Sequence, residues 1–163
     1  MATRLTTTIR LILSALIAVA GLAWLAPWAL YELALANIDG RPSAPELPQI
    51  RPEDEVFLRD HLKAQRGFSL VRLSPVTYLF TLATPDPEGS AEEGGAVATW
   101  MVARNYNSTH LRNKKMLWWH LSGAALTIWL TRNWTLEQIL SKAAEVTRQR
   151  AERGKSATGV NPL

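Results

Sequence analysis

The stretch LILSALIAVAGLAWLAPWALY, residues Leu11 to Tyr31, contains no charged side chain and a single aliphatic hydroxyl, Ser14. As a helix rising about 1.5 Å per residue it reaches about 31 Å, the thickness of a bilayer's hydrocarbon core. It reads as a membrane-spanning helix, and everything after it is tethered. Arg4 and Arg10 precede the run, whereas Glu32 and Asp39 follow it. This excess of cations on the short leading side favours a cytoplasmic amino terminus. The expected location is the inner (cytoplasmic) membrane, crossed once, with the carboxyl-terminal domain on the periplasmic side. Trp24, Trp28 and Tyr31 sit near the outer end, where amphipathic rings settle among headgroups. A cleaved signal peptide is the competing reading, because Ala34-Leu35-Ala36 is a small-x-small pattern. The apolar run exceeds the usual signal core of about 7–15 residues and ends in bulky aromatics, so a retained anchor fits better.

Working outward, residues 1–36 form the cytoplasmic stub and anchor. Residues 37–52 contain Asp39-Gly40 and Pro42, Pro45, Pro48 and Pro52, a composition that reads as an extended stalk. The remaining length suffices for one compact domain with a modest core. The chain has 163 residues, 18 Lys and Arg, 14 Asp and Glu, and no Cys, so disulfides and thiolate metal sites are excluded. Charge is unevenly spread: Glu32 to Trp100 holds 6 cations against 11 acids, and Met101 onward holds 10 against 3. A basic surface beside a bilayer attracts anionic headgroups by about 1 kcal/mol per well-placed cation. Membrane and lipid are therefore the expected partners, not nucleic acid.

Mainly helical structure follows from the patterning. Arg51-Pro52-Glu53-Asp54-Glu55 puts Pro at a first helical position and acids in the first turn, predicting a helix that stops near Gly67. Ser74-Pro75 opens a short apolar helix through Leu82, with a strand as the alternative there. Pro85 to Gly95 is a polar loop, Ala96 to Arg104 a third helix, and Asn105 to Asn113 a turn. Met116 to Thr131 is the densest apolar run outside the anchor. It is short for a span and typical of a helix buried in a domain, although a second crossing would satisfy the same pattern. Thr135 and Gln138 form a capping box before an apolar stripe of Leu136, Ile139, Leu140, Ala143 and Val146. The helical domain is thus placed at 53–146, followed by a basic, flexible tail at 147–163.

Several side chains are candidates for chemistry. Glu53, Phe57 and His61 are successive turns apart on one helix face, so an acid, an aromatic wall and an imidazole would line one cleft. Arg104, His110, Arg112, Lys114 and Lys115 cluster around the turn before the buried helix and would bind phosphate or a headgroup, or else form a solvated loop. His120 reads as a core histidine. Five tryptophans in the second half read first as core, with sugar stacking the alternative. Three His without metal-ligand spacing give a metal site little support, and no cofactor is expected.

The pattern E-D-x-x-F-x-x-H, carried by Glu53, Asp54, Phe57 and His61 after an anchor and a Pro-rich stalk, resembles the first motif of the peptidoglycan glycosyltransferases of family 51. These are the lysozyme-like transglycosylase domains of penicillin-binding proteins and their monofunctional relatives. The segment Gly94 to Asn105 is similar to that family's G-G-S-T-I-T-Q-Q-L-x-[KR]-N, keeping Gly94, Gly95, Thr99, Arg104 and Asn105. Ala124 to Leu140 is similar to its long core helix and the helix start that follows. The resemblance implies a small lysozyme-like helical domain acting on lipid-linked cell-wall precursor. Glu53 would be the catalytic base, and Asp54, Phe57, His61, Thr99, Arg104, Arg112, Lys114 and Lys115 would contact substrate. The family's second acid falls on Gly123, its Arg-Lys pair on Trp119 and His120, and its paired Gln on Trp100 and Met101. Loss of these groups implies a slow enzyme or a degenerate domain that binds precursor without polymerising it. A register on Ser141 to Glu145 would restore Lys142 and Glu145 but lengthens the gap beyond the family's. The alternative is a noncatalytic accessory subunit of a larger inner-membrane complex, docked through its Trp-rich helix.

Overall fold

The computed structural model describes residues 2–46, 50–62, 64, 67–83 and 94–157. Among these, six helices carry the fold: α1 (Ala2–Ala36), α2 (Pro52–His61), α3 (Pro75–Ala83), α4 (Gly94–His110), α5 (Met116–Asn133) and α6 (Leu136–Ala157). The described residues form no strand, only an isolated antiparallel bridge between Ile38 and Leu111. The domain is mainly helical, and α1 is the one described helix long and apolar enough to cross a membrane.

Helix α4 lies at the centre and packs against both α5 and α6. Ala98, Val102 and Ala103 of α4 meet Leu126 and Leu130 of α5 and Ile139, Leu140 and Ala143 of α6 in one continuous core. The apolar run of α5 is a core helix: Ser122, Ala125, Leu126, Thr127, Ile128, Leu130 and Thr131 are all buried. The capping box forms as expected, with the Thr135 N–H donating to Gln138 Oε1 at 2.8 Å and the Gln138 N–H to Thr135 Oγ1 at 3.3 Å. At the start of α3, Ser74 and Thr77 make the same reciprocal arrangement at 3.0 and 2.7 Å.

Close approach explains the glycine pair at the start of α4. A Cβ on Gly95 would collide with the backbone carbonyl of Ser69, and one on Gly94 would press on Ala64 and Phe68. The segment that leads into α3 therefore lies flat against α4. Gly40, at φ 72°, takes the left-handed conformation that follows the end of α1.

Helix α1 is about 52 Å long at 1.5 Å per residue, well beyond the hydrocarbon thickness of about 30 Å. Every residue from Ile12 to Ala26 is exposed, whereas Ala34 and Leu35 are buried in the domain core. The last turns of the anchor are thus part of the domain. Ser122 Oγ, itself fully buried, donates to the Ala34 carbonyl at 3.0 Å and accepts from Asn37 Nδ2 at 3.2 Å. Asn37 Oδ1 accepts from the Asn113 N–H at 3.0 Å, and the Asp39 N–H donates to the His110 carbonyl at 2.8 Å.

These contacts correct the expectation of a spacer at 37–52. Ile38 and Pro42 are buried, and residues 37–39 pair with the turn after α4, so the domain sits directly on the anchor. Residues 47–49 of that stretch lie outside the described residues. Three element bounds also differ. Helix α2 ends at His61, short of Gly67; α4 continues six residues past Arg104 because Asn107 is buried against α5; and α6 continues to Ala157. The flexible tail expected from Thr147 begins as ordered helix, since Val146 and Thr147 are buried and Arg148 pairs with Asp54 of α2. Of the expected Pro85–Gly95 loop, residues 85–93 lie outside the described residues, while Gly94 and Gly95 open α4.

Candidate functional site

Helix α2 carries the motif at the head of the domain, and its orientation decides what that motif can do. Asp54 and Leu58, one turn apart, face inward and are buried. Leu62, a further turn along, packs against the core. Glu53, Phe57 and His61 occupy the neighbouring face and are exposed, with the Phe57 and His61 rings stacked at 5.7 Å. The Glu53 carboxylate is 66% exposed and 3.3 Å from Arg51. The three side chains share a face as expected, but no described residue encloses them. A general base requires a carboxylate held near the reacting hydroxyl, and among the described residues no enclosed site adjoins Glu53. Asp54 serves instead as a tie between helices, paired with Arg51 at 3.1 Å and with Arg148 of α6.

The remaining substrate candidates separate. Thr99 is fully buried, and its hydroxyl donates to the Gly95 carbonyl one turn back at 2.7 Å, so it faces the core and not a ligand. Arg112 pairs with Asp39 at 2.9 Å. Lys114 and Lys115 are exposed at the start of α5, and His110 stacks on Tyr106 at 3.8 Å with Nδ1 3.0 Å from the Tyr106 carbonyl. In the alternative register Glu145 is exposed and pairs with Lys142 at 2.6 Å.

Arg104 lines a concavity. Its guanidinium lies 5.0 Å from the centre of the Trp100 ring and 5.4 Å from that of Trp119, held between two indoles by cation–π attraction. These residues, with Tyr78, Asn107, His120 and Gly123, line a pocket of about 90 Å³ between α3, α4 and α5. Trp100, Arg104 and Asn107 follow the i, i+4, i+7 spacing of one helix face. Asn107 is 1% exposed, and its Nδ2 donates to the Trp119 carbonyl at 2.8 Å, which fixes the amide's orientation. Its Oδ1 is buried and has no hydrogen-bond partner among the described residues. An unmet buried acceptor costs about 1–3 kcal/mol. His120 lines this pocket and is exposed, not the core histidine expected from its apolar neighbours, and its ring meets Trp119 edge-on at 4.9 Å.

A second concavity of about 70 Å³ adjoins the first through the shared walls Tyr78 and Ala124. It is almost wholly apolar and lies between Pro27, Leu30 and Tyr31 of α1, Leu79 of α3, and Leu121 and Ile128 of α5. Burial pushes the Tyr78 phenol above its ordinary value, so it remains neutral where the two meet. The two share that wall, one polar and one apolar, and together make a bipartite cleft whose apolar part is lined by α1 itself. No carboxylate among the described residues lines either part. Among the described residues its polar part presents one guanidinium and two indole faces beside an apolar part.

Sequence reasoning reached Arg104, and Trp100 and Trp119 as alternatives for sugar stacking, but missed Asn107 and Gly123 as lining residues. The signal was available in the spacing of Trp100, Arg104 and Asn107. It was obscured by placing the helix end at Arg104. No family model, curated protein or solved structure matches this chain.

Proposed function

We propose that this chain is a single-pass membrane protein whose helical domain holds an anionic amphiphile, of the class of lipid-linked cell-wall precursors, without polymerising glycan. The observation that carries the reading is the cleft, polar at Arg104 and Asn107 and apolar against α1. A polyprenyl or acyl chain reaches the apolar end from the bilayer, while a phosphate meets the guanidinium and a sugar hydroxyl meets Asn107 Oδ1. Indole faces suit the apolar face of a pyranose. The precursor class rests on the resemblance of Glu53 to His61 and Gly94 to Asn105 to the peptidoglycan glycosyltransferases. The absence of polymerisation rests on the exposure of Glu53 and on Trp119, His120 and Gly123 standing where the family has its Arg-Lys pair and second acid. With Arg4 and Arg10 cytoplasmic, the domain works at the outer face of the inner membrane.

A second reading, an accessory subunit of a larger membrane complex, is favoured by Met116 and Leu117, which are 77% and 67% exposed at the start of α5.

The test is binding and turnover of lipid-linked disaccharide-peptide by the full chain in nanodiscs. Arg104→Ala removes a charge-assisted contact of about 1.5–3 kcal/mol, so affinity falls about 10- to 100-fold. Glu53→Gln leaves binding unchanged, and neither protein makes glycan. Glycan synthesis that Glu53→Gln abolishes would replace this reading by the polymerase, and failure of the wild-type chain to bind would remove it.

A further inference from the structure

Two arginines outside the cleft line one pocket with no carboxylate partner among the described residues. Arg72, just before α3, and Arg132, in the last turn of α5, line a pocket of about 220 Å³ together with Leu73, Ser74 and Thr77. Arg51, Arg59, Arg112 and Arg148 each pair with an acid. Arg72 and Arg132 are exposed, and among the described residues neither has an acidic partner. The backbone that carries Arg72 is held in place, because the Leu73 N–H donates to the buried Thr131 hydroxyl at 3.2 Å, one residue before Arg132. The backbones that carry the two arginines are therefore held together by the packing of the α3 entry on α5, so both guanidinium groups border one pocket.

The level of this pocket along α1 identifies the anion. The Arg132 guanidinium lies 5.6 Å from the centre of the Trp28 ring. A hydrocarbon core of about 20 helical residues that begins at Leu11 ends near Leu30, so Trp28 lies at its edge, where headgroups start. Helix α3 packs on the same turns of α1 and leaves Leu79 and Phe80 48% and 65% exposed, as a helix seated in an apolar layer would. We infer that Arg72 and Arg132 clamp the phosphate of a phospholipid headgroup where α1 leaves the bilayer. Paired guanidinium forks match the oxygens of a phosphodiester. This inference rests on α1 crossing a bilayer and is independent of what the Arg104 cleft holds.

The experiment is native mass spectrometry of the full chain released from nanodiscs of mixed phosphatidylglycerol and phosphatidylcholine, with inorganic phosphate as competitor. Wild-type protein is expected to retain phospholipid. Arg72→Ala lowers retention at least tenfold, and Arg132→Lys keeps most of it. The melting temperature of Arg72→Ala stays at the wild-type value, since no described contact of its side chain is lost. Retention unaffected by Arg72→Ala overturns the inference. Displacement of the lipid by equimolar inorganic phosphate assigns the clamp to free phosphate and overturns the headgroup assignment. Loss of precursor binding with phospholipid retention intact counts against the cleft reading alone.

Discussion

Replacing Leu35 by Ala tests whether the anchor and the domain share one core. Leu35 is 4% exposed and belongs to the same cluster as Leu126 and Leu130 of α5. Truncating a buried Leu removes its transfer free energy and leaves a cavity, together about 2–5 kcal/mol. Ordered protein of about 125 residues melts with an entropy of about 0.26 kcal/mol/K, so a central loss of about 3 kcal/mol lowers Tm by about 11 °C. Leu33→Ala is the internal control, because Leu33 lies two residues away on the same helix and is 56% exposed. Thermal unfolding of the full chain in detergent, followed by helical circular dichroism, reads both variants. A domain spaced from its anchor by a stalk would melt identically in the two variants. Equal melting temperatures would refute the shared core and restore the stalk.

Three further outcomes follow from individual contacts. Gly95→Ala places a methyl group against the Ser69 carbonyl and is expected to cost more than about 3 kcal/mol or to prevent folding, whereas Gly154→Ala, with open space around it, stabilises or is neutral; expression and melting of both variants check this. Asp54→Ala removes the tie between α2 and α6 and is expected to cost about 1–2 kcal/mol, with faster amide exchange confined to α2 and the end of α6. Ser122→Ala leaves the Ala34 carbonyl and Asn37 Nδ2 short of a partner in a buried position and is expected to cost about 1–3 kcal/mol, read by denaturant midpoint.

Local chemistry in the sequence located the helices where a terminal signal was strong. Pro52, the Ser74-Pro75 pair and the Thr135–Gln138 box each mark a helix start that the fold contains. The apolar run from Met116 to Thr131, short for a span, also favoured a core helix at α5, with a second crossing as the alternative that the burial of α5 excludes. What the sequence hid was direction. Val56, Phe57 and Leu58 are consecutive apolar residues, so either face of α2 was available to the core, and the choice depended on Leu62 beyond the expected motif. The inward acid is consequently Asp54, and its partner Arg148 lies in a segment whose polar composition concealed an ordered helix. Ile38, a lone aliphatic residue among Asn, Asp and Gly, was the available sign that the expected stalk is bound to the domain. The Arg104 pocket was only half visible because its walls come from three helices, and no single segment carries more than half of its polar groups.

The most direct measurement is photocrosslinking in nanodiscs with lipid-linked disaccharide-peptide carrying a diazirine in its chain, mapped by peptide mass spectrometry on the full-length protein. The account predicts labels concentrated on Tyr78, Leu121 and Ile128, the α3 and α5 walls of the apolar groove, and their loss in the Arg104→Ala variant. Labels spread evenly over the bare surface of α1 from Ile12 to Ala26, and unchanged by Arg104→Ala, would contradict it.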